Sequence, residues 1–219
     1  MEEREISLVK GRQISLTKGL KQLKVEVVWE ENKRSVSSDE DFDIDLIIVE
    51  LDERGRALSP DHLVFYGSLE QTEDYKFTDP ERSVVHSGDD RDGSGDGEEC
   101  IIYPGKLNSR VKDIVFLINI YDSTSRKQTF KMIKGAEVRA YEDGKDIAKL
   151  VYRLDEDYKD DTILVFGKMT RIEGNKFTFT ALGEGSNQTL FKSLVKYGLK
   201  FKDCLLYTSP SPRDGLLSR

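Results

Sequence analysis

Apolar residues in this chain recur at a spacing of two, in short runs broken by clusters of Gly, Asp, Asn and Ser. That spacing sends successive side chains to opposite faces, so each run can bury one side of a β-strand but not the stripe of a helix. Strands are expected at residues 14–16, 23–29, 42–51, 62–66, 101–103, 111–121, 136–141, 150–154, 162–166 and 176–180. Many short strands without long helical patterns between them predict an all-β fold, an antiparallel β-sandwich of two sheets. One segment breaks the pattern. Over residues 187–197, Leu190, Phe191, Leu194 and Val195 share a helical face, which predicts a short C-terminal helix capping the sandwich.

Within this frame one loop stands out chemically. From His86 to Glu99, six carboxylates (Asp89, Asp90, Asp92, Asp96, Glu98 and Glu99) and four glycines fall within fourteen residues, with Arg91 as the internal counter-charge. Crowded carboxylates repel, and a divalent cation bound through six to eight oxygens turns the repulsion into binding energy. Glycines let the backbone wrap and aim carbonyls at an ion. A solvated acidic linker is the other reading. In the strand at 42–51, Phe42, Ile44, Leu46 and Ile48 point one way and Asp43, Asp45, Ile47 and Val49 the other. Asp43 and Asp45 therefore share a face with Cα atoms about 7 Å apart, close enough to serve one calcium or two neighbouring ones. A strand end entering solvent would also carry acids.

The last sixteen residues are set aside. Residues 204–214 back-translate without a mismatch into the transposase adapter of sequencing libraries, and 215–219 fit its continuation. The expected organisation is one domain over residues 1–203 and a non-native tail over 204–219. Removing Arg213, Asp214 and Arg219 moves the formal net charge from −7 to −8 and leaves Cys100 as the one native cysteine. The acidic balance argues against nucleic acid or anionic lipid as main partners. A single cysteine cannot form an internal disulfide, no apolar stretch reaches the length of a membrane span, and the first residues do not read as a signal peptide. A cytoplasmic protein is expected.

Two familiar loop chemistries do not fit. An EF-hand starting at Asp92 would place Tyr103 where a bidentate glutamate is required, and starting at Asp90 would place Ile101 there. A phosphate-cradling loop needs a following helix, a lysine and an attraction for anions, and none of these is present.

Taken in order, Leu8 to Leu16, Trp29-Glu30, Phe42-Asp-Ile-Asp-Leu46, Phe65-Tyr-Gly67, Val85-His-Ser-Gly-Asp-Asp90, Gly93-Ser-Gly-Asp-Gly-Glu-Glu99 and Ile120-Tyr-Asp122 resemble the TerD family of tellurium-resistance and stress-response proteins. The paired signatures, an Asp-x-Asp strand and a His-x-Gly-Asp loop running into Gly-Asp-Gly-Glu-Glu, are specific in combination. The resemblance implies a calcium-binding β-sandwich with two Ca2+ ions, cytosolic and not an enzyme. By position it implies Asp43, Asp45, Asp89, Asp96, Glu98 and Glu99 as metal ligands. Asp90 stands where the family often has asparagine, and Glu30 where an aspartate usually follows the tryptophan. Glu26, Val27 and Val28 replace glycines that normally precede Trp29, and a late tryptophan is missing around residues 175–177.

His86 invites an enzymatic reading, but calcium prefers oxygen, and an orienting hydrogen bond at a strand end is the expected role. Cys100 reads as a small buried hydrophobe, and Trp29 as core. The resulting expectation is a calcium-binding stress-response module that recruits other stress-response proteins. A calcium-dependent membrane-docking sandwich of the C2 type would need basic or apolar loop tips, which this loop lacks apart from Arg91. A metal-dependent phosphoesterase using Asp43, Asp45, His86 and Asp89 is the remaining alternative.

Overall fold

The computed structural model describes residues 6–7, 9–30, 41–68, 70–74, 76–90, 97–145, 150–154, 158 and 160–201. The expected tail at 204–219 and the centre of the acidic loop at 91–96 lie outside the described residues. Two sheets face each other. The first runs edge to edge through β1 (Ile6–Ser7), β11 (Leu150–Arg153), β10 (Glu137–Glu142), β3 (Leu23–Val28), β8 (Glu98–Ile102), β7 (Val84–His86) and β6 (Phe77–Thr78). The second runs through β2 (Gln13–Ser15), β13 (Lys176–Ser186), β12 (Ile163–Ile172), β9 (Asp113–Ile120), β4 (Ile44–Leu51) and β5 (Leu63–Val64). Strands pair antiparallel, save β1 beside β11. The fold is the expected all-β sandwich.

Alternation builds the core directly. Ile44, Leu46 and Ile48 of β4 meet Val25, Val27, Cys100 and Ile102 of the first sheet in the main apolar cluster. The opposite side chains of β4, Ile47, Val49 and Leu51, are equally buried, because a second cluster covers the outer face of the second sheet. Helix α2 (Leu190–Val195) and the segment after it supply its lid through Leu194, Tyr197 and Leu199. Thr189 caps the helix by accepting from the Lys192 N–H. A shorter helix, α1 (Ser123–Arg126), follows β9. β4 and β9 are thus central strands buried on both faces, which accounts for near-continuous apolar runs such as Ile-Val-Phe-Leu-Ile in β9.

Two strands extend well past their apolar runs. β12 continues to Ile172 and β13 to Ser186, with a register shift between Val165 and Gly167. Gly167 is required at that irregularity, since a Cβ there would lie 2.2 Å from the Phe179 ring. The opposite happens at residues 62–66. Pro60–His62 form a 3₁₀ turn capped by Ser59, leaving β5 only Leu63 and Val64. β5 covers β4 only at Ile48 and Val49, so the stretch of β4 from Ile44 to Leu46 has no strand on that edge. The candidate site forms there.

Candidate metal centre

Leu46 directs its backbone N–H and C=O away from β9, into the gap that β5 leaves. Two buried polar side chains take the place of a strand. Glu98 Oε2 accepts from the Leu46 N–H at 2.6 Å, and His86 Nε2 lies 2.9 Å from the Leu46 carbonyl. His86 Nδ1 accepts from the Gly88 N–H at 3.0 Å, so the ring proton sits on Nε2 and is donated to Leu46. Burial holds the imidazole pKa down to about 4, and the ring is neutral at physiological pH. Both ring nitrogens are thereby committed to main chain, and neither is left for a metal or a substrate. The orienting hydrogen bond expected for His86 is what the geometry provides.

Glu98 also ties the loop to the sheet. Its Oε1 accepts from the Asp90 N–H at 3.4 Å, while Asp90 Oδ2 accepts from the Gly97 N–H at 3.0 Å and closes the base of the acidic loop. Gly97 has φ of +78°, and a Cβ there would stand 2.2 Å from the Val27 carbonyl oxygen. Only glycine fits.

This scaffold brings Asp43, Asp45 and Asp89 together. One carboxylate oxygen of each lies within 4.8 Å of the others. Asp43 and Asp45 are buried at the start of β4, whereas Asp89 is exposed on the loop. Asn119, opposite Asp45 on β9, donates Nδ2–H to Asp45 Oδ2 at 2.9 Å. Trp29 Nε1–H donates to the Phe42 carbonyl at 3.0 Å and fixes the backbone just before Asp43. The expected core role of Trp29 therefore carries a positioning contact as well.

Burial and mutual repulsion act together on the carboxylates of the site. Burial, reinforced by Glu98, Asp43 and Asp89, pushes the Asp45 carboxyl well above the usual range. Burial likewise raises Glu98, with Asp89 and Asp43 adding to it. Tyr66 feels the same field, its phenol raised by burial and then by Asp45, Tyr121 and the other aspartates. A bound divalent ion would act in the opposite direction by favouring the charged carboxylates. The donor set fits a hard cation, since carboxylates converge and the one nearby imidazole is occupied.

The remaining residues expected at the site are distributed differently. Asp90 closes the loop and Glu98 reaches the cluster from the sandwich interior. Glu99, next in β8, points to the outer face of the first sheet and stands 3.6 Å from Lys24. Glu30 is exposed, its backbone N–H bonded to the Lys134 carbonyl and its side chain running past Gly135. The structure does not bring Glu30 or Glu99 to the three aspartates, and Asp96 lies outside the described residues. Asn119, Tyr66 and Tyr121 were not expected at the site. Asn119 had a signal, as a lone amide inside an otherwise apolar run.

The TerD domain profile matches residues 5–197. The chain belongs to the TerD family. General stress protein 16U of Bacillus subtilis is 32% identical over 200 residues, covering 89% of this chain and 98% of the relative. Tellurium resistance protein TerD of Serratia marcescens is 32% identical over 199 residues, covering 89% and 97%. The crystal structure of a telluride-resistance protein (TerD) homologue from Streptomyces coelicolor shares the fold, with a TM-score of 0.63 at 16% identity over 80% of this chain and 96% of that one. TerD relatives thus carry both stress-response and tellurium-resistance names, and no described helix here is long and apolar enough to cross a membrane.

Proposed function

We propose that this TerD-family chain is a calcium-binding stress-response module that acts by recruiting partner proteins and performs no chemistry of its own. The observation that carries this reading is the convergence of Asp43, Asp45 and Asp89 beside the buried Glu98, where the strongest influences on Asp45 are burial and other carboxylates. Two Ca2+ ions are proposed. Asp43, Asp45 and Asp89 would hold the first, and the acidic loop, through Asp90 and Asp96, would contribute to the second. When bound, the ions would neutralise the cluster beside the open edge of β4. Cytoplasmic partners, other stress-response proteins, would then read the calcium-bound state. Against an enzymatic role, both nitrogens of His86 are held by main chain, and burial pushes the Cys100 thiol far up, away from its reactive thiolate.

Calorimetric titration of the full chain with calcium tests the proposal. Two binding events are expected, and replacing Asp43 and Asp45 together by Asn should remove at least one. Unchanged stoichiometry in the double variant would exclude β4 from the site. Calcium-dependent turnover of a generic phosphodiester, lost in Asp89→Ala while calcium binding survived, would replace recruitment with catalysis.

A further inference from the structure

The other end of β4 carries a second buried acid that the candidate metal centre does not use. Glu50 lies five residues beyond Asp45, roughly 17 Å along the strand, on the face turned into the sandwich, and it is fully buried. Its Oε2 is buried with no hydrogen-bond partner, and its Oε1 has only Ser83 Oγ, 3.4 Å away. Ser83 has a single hydroxyl hydrogen and a better acceptor in Asp79 Oδ2 at 2.8 Å. The Asp79 carboxylate, fully buried as well, also accepts from the N–H groups of Glu81, Ser83 and Val84. An ionised Glu50 would therefore be a buried charge facing a second carboxylate across one hydroxyl, with that hydroxyl's hydrogen already committed.

The surrounding charges do not repair this. Glu81, on the same turn as Asp79, adds repulsion; its Oε1 accepts from Asn108 Nδ2 at 2.5 Å, and its Oε2 lies 3.2 Å from His62 Nε2 without a hydrogen bond. Arg171 on β12 offers attraction, but its two terminal nitrogens donate to the carbonyls of Asn108, Ser109 and Leu107, and its buried Nε makes no hydrogen bond to Glu50. Among the described residues, three ligating atoms converge for a cation at Asp43, Asp45 and Asp89, and not here. A proton is the neutralising partner left.

We propose that Glu50 is protonated in the native protein and acts as a proton-operated lock between the sheets, joining β4 to the 79–84 turn. The Glu50 O–H donates to Ser83 Oγ, and the Ser83 O–H donates to Asp79 Oδ2. On ionisation the proton leaves to solvent, Ser83 loses its donor, and two carboxylates face each other, so the turn loosens from β4. Burial, with Asp79 and Glu81 behind it, holds the Glu50 carboxyl well above the carboxylate range, in agreement with this state.

The sign of the pH dependence follows. A group whose folded pKa is raised stabilises fully below its unfolded value, about 4.3 for glutamate, and that contribution is lost as pH rises towards the folded value. The test compares urea unfolding of the wild-type chain and Glu50→Gln from pH 5 to pH 8 in excess calcium. The aspartate cluster is common to both, so it cancels in the difference whether or not calcium binds. Glu50→Gln keeps the shape, stays neutral and can still donate to Ser83. Its folding constant should gain on wild type by up to about tenfold for each pH unit, which is about 1.4 kcal/mol. Hydrogen exchange in the 79–84 turn, corrected for intrinsic rates, should climb with pH in wild type and stay flat in the variant. Should the variant not fold, infrared spectra of the wild type at neutral pH decide, since the proposal requires a protonated-carboxyl band that persists in calcium. A wild-type to Gln gap that does not change with pH, or the absence of that band, overturns the proposal.

Discussion

Replacing Asp45 by Asn should stabilise the protein in a chelator and destabilise it, relative to wild type, in calcium. Asp45 is 1% exposed and shares a 4.8 Å neighbourhood with Asp43 and Asp89. At that separation and an effective dielectric of about 20, each like-charged pair costs about 3.5 kcal/mol if both members are ionised. The cluster relieves part of this by taking up protons, which is why the Asp45 carboxyl is raised. That relief weakens as pH rises, because the folded state must hold protons that the unfolded chain releases above about pH 4. Asn has the same shape, carries no charge, and its Oδ1 can still accept from Asn119. Asp45→Asn should therefore gain on the order of 1 to 3 kcal/mol at pH 7 without metal.

Saturating calcium should reverse the order. A ligand present at a hundredfold its dissociation constant stabilises the native state by about 2.7 kcal/mol, and at the proposed site Asp45→Asn would forfeit a charged ligand from that binding. Urea unfolding at pH 7, with EDTA and then with calcium, should show the two stability curves crossing. A variant less stable than wild type by the same amount in both conditions would refute the electrostatic account, and would make Asp45 a packing residue held by Asn119.

Gly97→Ala should destabilise the fold by about 1 to 3 kcal/mol, since it combines a positive φ with a Cβ 2.2 Å from the Val27 carbonyl, and thermal melts in chelator would measure it. His86 should titrate near pH 4 by NMR, so its contribution to stability is present above the unfolded value of about 6.5 and is lost as pH falls through about 4. A wild-type imidazole titrating near its unfolded value would remove the buried, main-chain-bonded ring from the description.

The spacing of two was enough to place β4, to put Asp43 and Asp45 on one face, and to give the sandwich. It was not enough for the neighbours across the sheet. Glu98 and Glu99 both match the family signature, yet the same alternation sends them to opposite faces of β8, Glu98 towards Leu46 and Glu99 towards Lys24. Which one turns inward depends on register, here Val27 opposite Glu98, and register is a long-range property that one strand does not encode. Glu50 was invisible for a related reason. At the end of an apolar run it reads as a residue entering solvent, and only the packing of the 79–84 turn over it makes it buried.

β5 is short because Pro60 and the Ser59 cap turn residues 60–62 into a 3₁₀ turn, and that shortness has consequences along β4. A central strand cannot leave buried N–H and C=O groups open without losing about 1 to 3 kcal/mol for each. Leu46 is satisfied by importing a carboxylate and an imidazole from β8 and β7, across the sandwich. The imported carboxylate then lies beside Asp43 and Asp45, so the repair of the sheet edge raises the negative charge of the cluster. The acid that completes the fold also strengthens the demand for a cation. On this reasoning Glu98→Gln should weaken cation binding even without direct coordination, because it removes a charge acting on Asp45; its amide oxygen can keep accepting from Leu46, while the long 3.4 Å bond from the Asp90 N–H is given up. Calorimetry should show a lower calcium affinity with unchanged stoichiometry. Wild-type affinity in Glu98→Gln would mean that the edge repair and the metal centre are energetically separate.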